Sequence, residues 1–254
     1  MRVRTHLSRG GRESGQAAVE SAIVLPLFVF LLLGILQLGL MHQARLMTKY
    51  SAYKAVRAGS LHHADVGKMR SAALAVLLPL VSEDRGGGEY IKSVTSASDF
   101  SAKWKWDGVK TNKMPEARLP YVDVTICGPL SGDLRPSDKD EVNFDDPDWS
   151  VAYGEWKKSE LTKLRIQVTF NYRMPIPFAN QVIHAASRNR DLPSVLRMSD
   201  PKTRRPVKND VYNQLAEDGL YILPIRATYT MRMQSNLFPG IKPLPKSNAC
   251  VFAF

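Results

Sequence analysis

Several groupings of residues have the types and spacing that chemistry uses. Ser51-Ala-Tyr-Lys54 has the S-x-x-K spacing in which a lysine activates a serine nucleophile. His62, His63 and Asp65 carry metal-ligating side chains. Asp138, Asp140, Glu141, Asp145, Asp146 and Asp148 crowd one stretch with carboxylates. Trp104 and Trp106 stand among Lys103, Lys105 and Lys110, a basic-aromatic mixture of the kind that stacks on single-stranded nucleic acid or sugar. Cys127 and Cys250 are the two thiols of the chain. Finally, Gly15 is followed five residues later by Glu20, an acid at the edge of an uncharged run.

Most of these groupings lack the companions their chemistry needs. No SDN or KTG element accompanies Ser51 and Lys54. Adjacent histidines on a helix point in different directions, so His62 and His63 read as a solvated helix start. The acids miss the D-x-D-x-D-G spacing of a calcium loop and read as a solvated turn. Alternation around a strand accounts for the tryptophan stretch, and that is the reading taken. There is no P-loop and no G-x-S-x-G. The expectation is a chain with no catalytic residues, no metal, no cofactor and no nucleic-acid partner, and not an enzyme.

The elements that must position Glu20 are more informative. The chain has 254 residues, a formal net charge of +11 and 44% hydrophobic residues. Charged residues at 23% and aromatics at 9% exclude a wholly disordered chain, and two cysteines exclude a disulfide-dense miniprotein or a four-thiolate zinc site. From Ile23 to Met41 no residue is charged, and Gln37 is the one strongly polar side chain. As a helix that run spans about 29 Å, close to the ~30 Å hydrocarbon thickness of a bilayer. It is apolar on all sides, unlike a soluble core helix with its polar stripe. Leu74–Val81 is too short to be a second span and contains Pro79.

Arg2, Arg4, Arg9 and Arg12 precede the run and favour an amino terminus in the cytoplasm, although Arg45, Lys49, Lys54 and Arg57 follow it and weaken the bias. An acid at the edge of such a run costs a few kcal/mol to bury. Glu20 therefore either takes a cationic partner or sits at the interface and reaches water. Pro26, inside the run, predicts a bend near the cytoplasmic end. Gly34 and Gly39 are five apart and do not form a GxxxG dimer motif.

Beyond the run the helix is predicted to continue from Met41 to about Gly59, with Leu46, Tyr50, Tyr53, Ala55 and Val56 as an apolar stripe. Asp65–Leu78 predicts a second helix, and Gly86-Gly87-Gly88 a loop. Strands are predicted at Tyr121–Cys127, Leu164–Met174 and Ile225–Gln234. In the second of these, Leu164, Ile166, Val168, Phe170, Tyr172 and Met174 face one way, with a polar face opposite. A polar excursion is expected at 188–208. The fold class is α+β: a long amino-terminal helix leading into a domain with an antiparallel sheet. Cys127 and Cys250 both follow the span, so a disulfide between them is permitted if that side is oxidising; two separate buried thiols are the alternative.

The stretch from Gly15 to Gly39, with Glu20, the Ala-Ile-Val-Leu-Pro run ending at Pro26, and Gly34, resembles the amino terminus of TadE-like proteins, the minor pseudopilins of the tight-adherence pilus system. The likeness extends to Ala55–Gly59 and covers about the first quarter of the chain. It implies cleavage between Gly15 and Gln16 by a membrane prepilin peptidase, leaving Glu20 as the fifth mature residue. Residues 1–15 would be a basic leader, 16–60 the transmembrane and membrane-proximal helix, and 61–254 a periplasmic domain. Cleavage would remove four arginines and one acid, taking the net charge from +11 to about +8. The new ammonium at Gln16 could pair with Glu20 of its own or a neighbouring subunit, relieving the cost of burying the carboxylate. Many type IV pilins have Phe at the first mature position where this chain has Gln16, which leaves its methylation open. The implied partners are other pilin and pseudopilin subunits, the prepilin peptidase, an inner-membrane assembly platform and the lipid bilayer. A different class fits the same span: an unprocessed, single-pass, membrane-anchored periplasmic binding protein.

Overall fold

The computed structural model describes residues 13–84, 89–134, 140–145, 162–187 and 211–251, the side chains of 13–16, 83–84 and 89–90 excepted. The arginines of the basic leader, the triple glycine at 86–88, the excursion at 188–208 and the acids Asp138, Asp146 and Asp148 lie outside the described residues.

A single helix, α1 (Glu13–Leu61), takes up 49 residues and contains Pro26. Its last third turns a seam of small residues inward: Ala44, Ser51, Ala52, Ala55 and Val56 are all fully buried. Buried hydroxyls on this seam are satisfied within the helix, with Thr48 Oγ1 donating to the Ala44 carbonyl at 2.7 Å and Ser51 Oγ to that of Thr48 at 2.8 Å. Ser51 is therefore a packing residue, and Lys54 lies over the ring of Tyr50 at 5.6 Å.

Where α1 ends, Gly59 lets three elements meet. A Cβ there would lie 2.5 Å from Met69 Sδ and 2.7 Å from Leu164 Cδ2. His63 and Ala64 take positive φ to reverse the chain, and the Ala64 N–H donates back to the Gly59 carbonyl at 2.9 Å. Asp65 then caps α2 (Val66–Leu77) through the Lys68 N–H at 3.1 Å. α2 buries Met69, Ala73, Leu74 and Leu77 against α1 and the sheet. His63 is held by this turn, with Nδ1 2.7 Å from the Asn236 carbonyl, and no metal-binding cluster of His, Cys, Asp or Glu occurs among the described residues.

Two short strands, β1 (Glu83–Asp84) and β2 (Glu89–Tyr90), pair with each other. The main sheet is antiparallel in the order β3 (Val122–Gly128), β4 (Lys163–Arg173), β5 (Ile222–Arg232). α1 crosses β4 and β5, and α2 lies against β3. Leu164, Ile166, Val168, Phe170, Tyr172 and Met174 are buried, the alternation read in the sequence. The architecture is mixed α+β, a long apolar helix followed by a domain of helices and a three-stranded antiparallel sheet.

Two expectations are corrected. The tryptophan stretch is helical, with α3 (Ala97–Trp104) and α4 (Asp107–Thr111) in place of a strand. Ser96 decides this: its Oγ accepts the Asp99 N–H at 3.2 Å while Asp99 accepts the Ser96 N–H at 3.2 Å, a reciprocal cap that starts α3. The Ser96 hydroxyl, which donates to Asp99 Oδ2 at 2.7 Å, and the Thr95 hydroxyl, which donates to it at 2.9 Å, hold the Asp99 carboxyl below its ordinary range. Lys103 turns inward, fully buried, and donates to the carbonyls of Lys92 at 2.9 Å and Pro79 at 3.3 Å.

The second correction concerns the far face of β4, which is not uniformly wet. Gln167 and Asn171 are buried there because other segments cover them. The tail lies over Gln167, whose side-chain amide donates to the Val251 carbonyl at 2.7 Å and accepts the Val251 N–H at 3.0 Å. Cys250 is bonded to Cys127 on β3, so the disulfide ties the tail to the sheet. Asn171 receives the Tyr212 hydroxyl at 2.8 Å and donates to the Pro120 carbonyl at 2.7 Å. A cleft of about 400 Å³ beside the tail is lined by Arg45, Gln167, Arg226, Thr228 and Val251 with Pro224 and Ile225, none of them a nucleophile–base pair or a metal ligand.

Candidate membrane-spanning and assembly helix

The first half of α1 is the part of the molecule that its own fold leaves uncovered. Every residue from 17 to 32 is exposed, and the exposed positions are large and apolar: Ile23 and Leu27 are each 67% accessible, and Val24, Leu25, Phe28, Phe30 and Leu31 are exposed beside them. The helix over Ala17–Leu61 is long and apolar enough to cross a membrane. A core helix of a soluble domain would bury this surface.

Burial starts where the polar residue of the run stands. Gln37 is fully buried, and its Oε1 accepts the Ile176 N–H at 3.1 Å. Ile176 lies in the Pro175-Ile-Pro-Phe178 turn that follows β4 and leads into helix α5 (Ala179–Ser187). Phe178 in that turn meets Phe30 edge to face, with ring centroids 5.6 Å apart. These contacts fix the point at which the domain grips α1. Gln37 is conspicuous in the sequence, but nothing local marks Ile176 or its turn as the partner.

The residues of the predicted cleavage and pairing site fall on one continuous helix. Gly15 and Gln16 have helical backbone, and their side chains are outside the described residues. Glu20 is exposed, one helical turn beyond Gln16 on the same face, with no ion pair among the described residues. Pro26 lies within the uninterrupted helix, where its missing N–H deprives the Ala22 carbonyl of its usual partner. A Cβ added at Gly34 or Gly39 would meet nothing within 4 Å, so nothing among the described residues requires glycine at either place. Cys127 and Cys250 are far along the sequence from this helix and belong to the sheet and its tail.

Among curated proteins and solved structures, no match was found. A family model described as TadE-like protein matches residues 15–57, from the glycine ahead of the apolar run into the buried seam of α1, so the amino-terminal segment of this chain is similar to TadE-like proteins.

Proposed function

We propose that the chain is a minor pseudopilin-like subunit of a tight-adherence pilus, cut between Gly15 and Gln16 by a prepilin peptidase and taking part in pilus assembly or initiation. The TadE-like match points to Tad pilus systems. The observation that carries the finer reading is the bare apolar half of α1 running without a break into a half that is built into the sheet domain. Such a helix can sit in the inner membrane before assembly and pack beside other pilin helices afterwards, while the domain travels with it.

In this reading the amino terminus is cytoplasmic and the sheet domain periplasmic. The Cys127–Cys250 bond suits an oxidising compartment on that side. Cleavage creates an ammonium one turn before Glu20, and the pair lowers the cost of holding a carboxylate in an apolar setting. The role is structural, with pilin and pseudopilin subunits, the peptidase, the inner-membrane assembly platform and the bilayer as partners.

The test is the mass of the amino-terminal peptide from membrane-purified protein, with and without active prepilin peptidase. The expected mature chain begins at Gln16. Glu20→Gln is expected to be processed normally and to assemble poorly. A chain that still begins at Met1 in cells with active peptidase would contradict the proposal and favour an unprocessed, membrane-anchored binding protein.

A further inference from the structure

We infer that the turn Pro175–Phe178 and the outer face of α5 form a second membrane contact, a lip of the sheet domain that inserts into the bilayer leaflet on the domain's side. The inference rests on α1 spanning the membrane, and it adds a site in a part of the chain that the TadE-like match does not reach.

Depth is the first argument. A hydrocarbon layer of about 30 Å is crossed by about 20 helical residues, so a boundary as early as Ala17 places the other boundary near Gln37. Phe30 then lies about 10 Å below that second boundary. Placing the layer on the charge-free run Ile23–Met41 puts Phe30 deeper still. The Phe178 ring is 5.6 Å from that of Phe30, so it lies within that distance of the same depth. The domain residue Phe178 cannot be in water if Phe30 is in lipid.

The second argument is the chemistry of the surface offered. Phe178 is 54% exposed and Val182, one turn later, 68% exposed; Ala186 is exposed a further turn on. That is an apolar stripe at helical spacing on the outside of α5, while Ala179 and His184 turn inward. A depth of about 5–10 Å is the usual seat of an interfacial amphipathic helix. Phe178 also holds a positive φ of 64°, a conformation that costs energy in an aromatic residue. The third argument is anchorage. The Gln37 Oε1 bond to the Ile176 N–H and the edge-to-face contact of Phe178 with Phe30 fasten the lip to the spanning helix, so its exposed face is continuous with the bare face of α1. The occupant is therefore acyl chain and glycerol-level lipid. The consequence is mechanical: the lip fixes the tilt and rotation of the domain on the membrane before the subunit is withdrawn.

The experiment uses the full-length chain reconstituted into phosphatidylcholine vesicles whose acyl chains are either plain or brominated, with tryptophan emission read above that of the parent protein. Phe178→Trp and Val182→Trp are expected to lose emission in brominated vesicles, as does Phe28→Trp in the bare half of α1. Ile241→Trp, at the far end of the domain beside the turn after α1, is expected to lose none. Val182→Trp disturbs no packing, because that side chain is already on the surface. Quenching of Phe28→Trp without quenching of Phe178→Trp and Val182→Trp would overturn the lip and leave the span intact. Blue-shifted but unquenched emission at both lip positions would mean a protein neighbour covers the face, and would also overturn it. No quenching even at Phe28→Trp would remove the span itself, and the lip with it.

Discussion

The two halves of α1 share one backbone and answer to different surroundings. From 17 to 32 the helix carries Ile, Val, Leu and Phe on every side, and all of it is exposed. From Ala44 to Gly59 the inward seam is Ala, Ser, Thr and Gly with one Val, and it is buried against α2 and the sheet. A sheet demands a close approach and therefore small side chains. Lipid demands only apolarity in all directions, because its chains adapt to any shape. Gln37 marks the change: among the described residues it is the one place in the uncharged run where a side chain has a hydrogen-bond partner in the domain.

The contrast can be broken by truncation. Leu164, fully buried beneath α1, is expected to cost about 2–5 kcal/mol as Leu164→Ala. Leu31→Ala, in the bare half, is expected to change domain stability by under ~0.5 kcal/mol. Urea unfolding in detergent, followed by circular dichroism, measures both. Equal effects would mean the bare half packs on the domain after all.

Glycines sharpen the same contrast. Gly59→Ala forces a Cβ against Met69 Sδ and Leu164 Cδ2 and is expected to cost about 1–3 kcal/mol. Gly39→Ala meets nothing and is expected to be neutral or stabilising by about 0.5–1 kcal/mol through helix propensity. Melting temperatures of the two variants settle the order.

The smallest effect lies at the end of the seam. Lys242 Nζ is 2.8 Å from Asp65 Oδ2, and with the Lys68 N–H it holds the Asp65 carboxyl below its ordinary 3.8. The unfolded chain then binds this proton more readily than the folded one. The pair's stabilisation is therefore present above about pH 4 and is lost as pH falls through the lowered folded value. Both side chains are about a third exposed, so the loss is under ~1 kcal/mol. Asp65→Asn keeps a capping side chain and is expected to flatten this part of the stability–pH curve, read by thermal unfolding between pH 3 and 6.

Much of this was legible from residue order alone. Period-2 alternation over Leu164–Met174 and the uncharged run to Met41 are long enough that a single physical reading survives. The tryptophan stretch is too short for that, since a few positions fit a strand and a helix alike, and the Ser96–Asp99 cap decides it. The coverings of the far sheet face and the domain's grip on α1 were out of reach for another reason. Val251 is 84 residues from Gln167, and Ile176 is 139 from Gln37, and no local pattern carries contacts over such separations.

The most direct measurement is a comparison of the full chain with one lacking residues 1–32, by solubility without detergent and by thermal unfolding. The bare half should be the main reason for insolubility, with the smaller lip at Phe178 and Val182 adding to it. The shortened chain is expected to dissolve as a cooperative folded domain melting within a few degrees of the full chain in detergent, while the full chain stays with membranes. A full chain that remains a monomer in plain buffer, or a shortened one that cannot fold, would contradict a helix divided between lipid and sheet.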